Sequence, residues 1–367
     1  MRILCAGGGT GGHINPALAV ASYAVGKDET TKVLFVGTKA GLETRLVPKA
    51  GFDIEYIDVE GFKRNKIFSN VKVVYKLFKS QIQAKKILKK FKPDVVLATG
   101  GYVSGPVVTA AKKLKIPSVI HEQNVYPGLT VKAAVKYVDK VLVSFDETVN
   151  HIKEPSKCMV MGNPIRPEIL NATYDESRKK LNLSDKPLVF IVGGSRGAMK
   201  INEAVKDILS MMDESTPFQL IFATGESNYK SFIESLADKT VLENKNINVL
   251  PYIHNMNEVM NAADVVVSRA GAITVSEIAA LGRPCILIPS PNVVRNHQEQ
   301  NARLLENGGG AIVITENELN SKDLFDRINT LVNDAKKRED MSASLKKYAK
   351  TDATEKIYNV LKALAKQ

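Results

Sequence analysis

The sequence predicts an α/β protein of two doubly wound αβα domains facing each other across a cleft. Three observations carry that prediction. Short apolar runs alternate with helical stretches along most of the 367 residues, the pattern of parallel strands joined by crossover helices. A chain of this length is expected to exceed one core. A glycine loop between an apolar strand and a helix occurs twice, at "AGGGTGGH" near the start and at "VGGSRGA" past the middle.

In the first half, strands are expected near 2–6, 32–37, 53–58, 94–99, 117–121 and 139–144, with helices between most of them. Two prolines and a glycine in "MGNPIRPE" (Met161 to Glu168) interrupt the alternation and mark a domain boundary. The second series opens with "PLVFIV" and continues with strands near 218–223, 247–250, 264–268, 284–288 and 311–314. Helices are expected from about Leu319 to Gln367. Both halves therefore read as Rossmann-like, and in such sheets ligands bind beyond the carboxyl ends of the strands.

Composition narrows the class. With 44% hydrophobic and 25% charged residues the chain is ordinary globular material. Its three cysteines, Cys5, Cys158 and Cys285, lack the spacing of a disulfide framework or a zinc site, which fits a reducing cytoplasm. No apolar run approaches the ~20 residues of a spanning helix, and the apolar stretch before the first glycines is too short for a signal peptide. The expectation is a protein neither secreted nor integral to a membrane.

Charge is concentrated. Of the net +12, eleven Lys or Arg and no acid fall between Gly61 and Lys92, leaving the rest of the chain near neutral. Within that run Val71, Val74, Phe78 and Ile82 recur at helical spacing, with Leu77, Leu88 and Phe91 beside them. An ordinary crossover helix with a solvated face satisfies the pattern. A cationic rim around exposed Ile67 and Phe68 would instead suit an anionic membrane surface. Nucleic acid is disfavoured, because no recognition motif or stacking platform accompanies the lysines.

The first loop holds five glycines and a threonine, more than a packing turn needs, and its helix points a positive end at the same place. A phosphate-bearing ligand is the natural reading. Gly7, Gly9 and Gly12 match the dinucleotide fingerprint, yet the second strand ends in Gly37, Thr38 and Lys39, where that fold keeps an acid for the ribose. A nicotinamide enzyme is disfavoured on that ground. The loops "TGGYVSGP" and "HEQNVYPG" follow the fourth and fifth strands and share the rim.

In the second half, "ADVVVSRAGAITVSEIAALG" puts Ser268 to Gly271 after a strand and a helix from about Thr274, with Glu277 in its first turn. A carboxylate there is placed to accept two ribose hydroxyls, or simply to complement the helix dipole. Gln298 and Asn301 in "NHQEQNA" are amides of the kind that read sugar hydroxyls.

Seven motifs in order, "GGTGGH", "GGYVSGP", "HEQN", "GNPIR", "GGSRGA", "SRAGAITVSE" and "NHQEQNA", make the whole chain resemble the MurG family of UDP-N-acetylglucosamine:N-acetylmuramoyl-(pentapeptide)-pyrophosphoryl-undecaprenol N-acetylglucosaminyltransferases, which have the GT-B fold. The resemblance implies inverting transfer of GlcNAc from UDP-GlcNAc to the C4 hydroxyl of lipid I, giving lipid II, at the cytoplasmic membrane face. It implies a place in peptidoglycan synthesis, and so in wall biogenesis, cell shape and division. Residues 1–163 with a C-terminal helix 345–367 would form the acceptor and membrane-associating domain, and 164–344 the donor domain. On the donor side, Thr10, Gly11, Gly12 and Asn124 would lie at the GlcNAc. Arg166 and Ser195 would meet the diphosphate, and Ile253 would hold uracil through its backbone. Glu277 would hold the ribose, Ala272, Ile273 and Thr274 would approach phosphates and sugar, and Gln298 would read GlcNAc beside Asn301. His297 stands where some members carry a second glutamine. On the acceptor side the residues are Gly9, Gly101, Tyr102, Ser104, His121 and Glu122.

An inverting transfer needs a base, and His13 at a helix N-terminus is the candidate, with His121 and Glu122 as the second choice. No two aspartates are spaced D-x-D, so nothing calls for a metal or for Mg²⁺, and Arg166 or Arg196 with backbone N–H groups would neutralise the leaving group. No cofactor is expected. Lys63, Arg64, Lys66 and Lys72 are the residues expected to dock on an anionic membrane, and proteins of the wall-synthesis machinery are possible partners. The alternatives are a glycolipid synthase or a UDP-GlcNAc 2-epimerase of the same architecture, and a non-enzymatic membrane adaptor, which would leave the glycine loops and Glu277 without a role.

Overall fold

Two parallel sheets account for the strands among the described residues. The computed structural model describes residues 1–61, 67–194 and 197–366, with the side chains of 67–72, 74 and 294 outside that description. The chain divides into two compact units, Met1–Ile165 with Lys350–Gln367, and Arg166–Ala349.

The first unit contains β1 (Arg2–Gly7), β2 (Lys32–Gly37), β3 (Asp53–Tyr56), β4 (Val95–Gly100), β5 (Ser118–Glu122), β6 (Lys140–Val143) and β7 (Cys158–Val160), ordered β3-β2-β1-β4-β5-β6-β7. Its helices are α1 (Gly11–Lys27), α2 (Glu43–Lys49), α3 (Ile67–Phe91), α4 (Ser104–Lys113) and α5 (Leu129–Ala134). Alternation along the strands sorts the core. Ile3, Cys5, Leu97 and Val119 face one side, packed by Ile14, Ala17 and Val20 of α1, while Leu4, Ala6, Val96 and Ala98 face the other, packed by α3 and α4.

The second unit contains β8 (Leu188–Val192), β9 (Gln219–Ala223), β10 (Ile247–Leu250), β11 (Val265–Ser268), β12 (Cys285–Leu287) and β13 (Ala311–Val313), ordered β10-β9-β8-β11-β12-β13. Its helices are α6 (Pro167–Asn171), α7 (Tyr174–Lys180), α8 (Met199–Met211), α9 (Glu226–Glu234), α10 (Met256–Ala262), α11 (Ala272–Leu281), α12 (His297–Asn307), α13 (Ser321–Asn333) and α14 (Ala335–Lys346). The last helix, α15 (Ala353–Leu364), returns to the first unit, where Ile357, Tyr358 and Leu361 join the cluster of Ile14 and Val20.

Three local readings change. Strand β7 is three residues long, and its mixed Cys-Met-Val composition beside a proline-rich boundary gave no strand signal. Helix α11 begins at Ala272, so Glu277 lies in its second turn rather than its first. Finally, Phe78 and Ile82, expected on the apolar stripe of α3, are exposed with Tyr75 at 65, 60 and 68%, respectively. The packed stripe is Val73, Ser80, Ala84, Ile87 and Leu88. A 3.6-residue period identifies stripes but not which one faces inward, and this helix carries two.

The lysines of α3 are also less isolated than the acid-free run suggests. Lys76 pairs with Asp58 at 3.0 Å and with Glu60, Lys79 with Asp58 at 3.6 Å, and Lys90 with Glu55 at 2.9 Å. The acids come from β3 and the loop beyond it, outside the window in which charge was counted. Lys63, Arg64 and Lys66, together with the side chain of Lys72, lie outside the described residues.

Candidate active-site loops

In the first unit the strand order reverses between β1 and β4, so their carboxyl ends open the crevice where doubly wound sheets take ligands. The loops there are Gly8–Thr10, leading into α1, and Gly101–Val103, leading into α4. His13 sits in the first turn of α1, half-buried, with its Nδ1 3.1 Å from the Gly8 carbonyl oxygen and 3.4 Å from Thr10 Oγ1. A carbonyl oxygen only accepts, so the contact with Gly8 requires the proton on Nδ1 and puts the ring lone pair on Nε2. The imidazole packs against Gly100, where a Cβ would come within 2.6 Å of His13 Cδ2. Gly101 has φ +76°, and any side chain there would strike the Gly8 carbonyl. The two glycine loops thus interlock, and the absence of a side chain at Gly100 leaves room for the histidine ring.

Other acceptor-side candidates have structural employment. Ser104 is buried and its hydroxyl donates to Ala6 O at 3.0 Å or Gly100 O at 2.8 Å while accepting from Gly100 N, which pins the β4 turn. His121 donates from Nε2 to Gly162 O at 2.9 Å and accepts at Nδ1 from Gln123 Nε2 at 3.0 Å. Glu122 accepts from Asn124 N, Asn124 Nδ2 and Gly128 N at 2.8 to 3.0 Å. Both side chains are buried, with their polar atoms engaged by neighbouring groups of the strand ends. Asn124 is half-buried and shaped by Glu122, and Tyr102 is exposed with its ring lying on Gly61. The Gly9 N–H donates to Glu43 Oε2 at 2.8 Å.

Burial also holds the His121 ring near a pKa of about 4, below its ordinary 6.5. The unfolded chain then takes up the proton first, so this group's contribution to stability is complete above pH 6.5 and is lost as pH falls toward 4. Burial pushes the Glu122 carboxyl up, which works in the opposite direction above its ordinary value. Urea unfolding at pH 7 and pH 5 is expected to show the wild type losing about 2 kcal/mol more than His121→Gln. Equal losses would remove His121 as the source.

In the second unit the reversal falls between β8 and β11, so the loops after Val192 and after Ser268 meet the crevice. The first contains Ser195 and Arg196, which lie outside the described residues. The second caps α11 with Gly271 in extended conformation, and no acid occupies the first turn, so the positive helix end at Ala272, Ile273 and Thr274 is not offset locally. Arg166 Nε donates to Glu277 Oε1 at 3.0 Å, with the arginine half exposed and the carboxylate buried. Burial raises the Glu277 carboxyl and the Arg166 charge pulls it back down. Two residues chosen separately for diphosphate and ribose are therefore one ion pair. Ile253 is buried in the loop after β10, leaving its backbone as the part that can meet a base. Gln298 Oε1 accepts from Ser290 N at 2.8 Å. Asn301 is buried and its Nδ2 donates to Ala270 O at 3.2 Å, so it shapes the Ser268–Gly271 loop. Among the described residues no three His, Cys, Asp or Glu side chains gather as a metal site requires.

Two family models match, the glycosyltransferase family 28 N-terminal domain over residues 3–143 and its C-terminal domain over 188–357. A UDP-N-acetylglucosamine–N-acetylmuramyl-(pentapeptide) pyrophosphoryl-undecaprenol N-acetylglucosamine transferase of Acetivibrio thermocellus is 47% identical over 367 residues, covering 100% of this chain and 99% of the relative. The chain belongs to the MurG family. A second MurG-family relative of the same printed name, from Caldanaerobacter subterraneus, is 48% identical over 99% of this chain and 100% of its own length. The crystal structure of Acinetobacter baumannii MurG superposes with a TM-score of 0.79 at 28% identity, covering 99% of each chain. A UDP-GlcNAc 2-epimerase from Neisseria meningitidis, at 15% identity and TM-score 0.68 over 99% of this chain and 100% of its own, shares the fold alone. This is the GT-B architecture that the motif order implied.

One residue of this MurG-family chain escaped the sequence reading. Glu43 is fully buried, and besides Gly9 N it accepts from Thr38 N and Thr38 Oγ1, both at 2.9 Å. The acid missing at Gly37–Lys39 is supplied six residues past the strand end and turned onto the glycine loop rather than onto a ribose. A lone Glu in "AGLETRLVPK" at the start of a short helix carries no signal beyond dipole complementation.

Proposed function

We propose that the chain transfers GlcNAc from UDP-GlcNAc to the C4 hydroxyl of the MurNAc of lipid I, with inversion at the anomeric carbon, forming lipid II in peptidoglycan synthesis. The observation that carries this reading is the full-length identity of nearly half to transferases of that printed name. The His13 and Glu277 loops at the two switch points supply the parts it needs.

In the proposed mechanism the first unit takes the acceptor and the second the donor. His13 Nε2 removes the C4 hydroxyl proton as that oxygen bonds to the anomeric carbon, and the bond from that carbon to the UDP oxygen breaks. The Nδ1–H contact to Gly8 keeps the ring in the tautomer that accepts at Nε2. Charge on the departing diphosphate falls to the N-terminus of α11 and to Arg166. Glu277 Oε2 and Oε1 accept the two ribose hydroxyls, which requires Arg166 to hold the carboxylate by one edge only, as its Nε does. The backbone at Ile253 pairs with uracil, and Gln298 reads the sugar. No metal is required in this scheme.

The acceptor's lipid requires an interface with the membrane. No described helix is long and apolar enough to cross one. Tyr75, Phe78 and Ile82 form an exposed apolar line on α3, flanked by exposed Lys79, Lys85, Lys86 and Lys89, the composition of a surface that inserts rings between anionic headgroups. We place the protein peripherally on the cytoplasmic face of the cell membrane through this helix. Changing Tyr75, Phe78 and Ile82 together to Ser is expected to weaken binding to vesicles containing anionic lipid by roughly tenfold or more, measured by flotation. Unaltered flotation would remove this face from the interface.

The function itself is tested by incubating the purified chain with labelled UDP-GlcNAc and a lipid I analogue, with EDTA and, in parallel, UDP-GalNAc. Lipid-linked disaccharide from UDP-GlcNAc alone and in EDTA is the expected result. Free ManNAc, or UDP release without lipid product, would replace the transferase reading with that of an epimerase or hydrolase on the same nucleotide sugar.

A further inference from the structure

We propose that Glu43 is a positioning residue for His13, acting through the single peptide group that joins Gly8 to Gly9. The N–H of that peptide donates to Glu43 Oε2 at 2.8 Å, and its carbonyl oxygen lies 3.1 Å from His13 Nδ1. In a planar trans peptide the N–H and C=O point in opposite directions. The carboxylate and the imidazole therefore sit at the two ends of one dipole. A negative group on the N–H side polarises the amide and strengthens its carbonyl as an acceptor. That favours the Nδ1–H tautomer and stabilises the positive ring formed when Nε2 takes up a proton. The effect is the one a carboxylate exerts by direct contact in a hydrolytic triad, here passed through one amide.

The surroundings are shaped for the carboxylate. Thr38 N and Oγ1 fix its other oxygen, and it is fully closed to solvent at the start of α2. A side chain at Gly8 or at Gly41 would collide with its carboxyl atoms. Glu43 accepts on both oxygens and donates to nothing described, which is the pattern of a carboxylate rather than an acid. Thr10 Oγ1 at Nδ1 and the Gly100 backbone beside the ring are uncharged, and Thr99 donates to the His13 backbone carbonyl at 2.6 Å, which holds the turn that carries the imidazole.

The inference rests on His13 as the proposed base, and the test separates the two. In the full-length protein, ring titration of His13 is followed by NMR, its resonance assigned by its loss in His13→Gln. The wild type is expected to show the neutral ring protonated at Nδ1, which can be read even if no Glu43 variant folds; an Nε2–H tautomer overturns the relay. In Glu43→Gln the titration midpoint is expected to fall by roughly half to one pH unit, because the imidazolium loses its negative partner. The acid limb of kcat/KM should move down with it, kcat should drop roughly tenfold or more, and KM for UDP-GlcNAc should stay within about twofold of the wild type. An unshifted midpoint in folded Glu43→Gln overturns the relay whatever His13 does in catalysis. Full activity in His13→Gln overturns the base reading while the ring titration still reports on the relay.

Discussion

His13→Gln is expected to lower kcat for GlcNAc transfer by roughly 10²- to 10⁴-fold, with KM for UDP-GlcNAc little changed. Glutamine can still donate to the Gly8 carbonyl, the contact that His13 Nδ1 makes at 3.1 Å, so the loop keeps its anchor. What disappears is a group able to take up a proton where Nε2 stands. The split between kcat and KM is the informative readout. A residue that merely shaped the loop would disturb sugar binding and rate together, whereas a base is used in the transition state alone. The measurement is steady-state transfer to a lipid I analogue over a range of both substrates. A variant with kcat within threefold of wild type would mean that the acceptor proton leaves by another route, and neither His121 nor Glu122 offers one, since both are buried with their polar atoms committed.

Glu277→Gln is expected to raise the dissociation constant for UDP by roughly a hundredfold, because each hydrogen bond to a charged group contributes about 1.5–3 kcal/mol and the carboxylate is proposed to accept two. Glutamine keeps the volume of a buried side chain but replaces one acceptor with a donor that faces either a ribose hydroxyl or Arg166. Isothermal titration with UDP reads the change directly. In the wild type, UDP affinity should also weaken on acidification through the raised carboxyl range of Glu277, because protonation removes an acceptor; that dependence should flatten in the variant. Affinity within threefold of wild type would move the ribose to another partner and leave the Arg166–Glu277 pair as a bracket between α6 and α11.

Much of this was legible in the chain. Strands, switch points and glycine loops follow from apolar runs and punctuation, which are local signals. What was not legible depends on contacts distant in sequence or on choices between equal patterns. Phe78 and Ile82 have the same spacing as the buried stripe of α3, and only packing against the sheet decides between them. Lys76 and Lys79 look unopposed in a linear window, yet meet Asp58 just upstream of it. Among the candidate residues, the motifs marked loops at the carboxyl ends of the strands but carried no signal for which polar side chains are buried within them. Ser104, His121, Glu122 and Asn301 are polar because buried turns need their backbone groups satisfied. Glu43 is the converse case: a residue with no motif of its own, made important by where a short helix begins.

The return of α15 to the first unit bears on how this chain is made. The apolar side of α1, with Ile14, Ala17 and Val20, is completed by Ile357 and Leu361, which leave the ribosome more than three hundred residues later. The amino-terminal half is thus the first synthesised and the last finished. During translation it waits with an unsealed flank while residues 166–349, contiguous in sequence, can close on their own. A premature stop near the end of the message would spare the second unit and leave His13 on a helix with one side bare, a species marked for chaperones and proteases rather than for a milder defect in turnover.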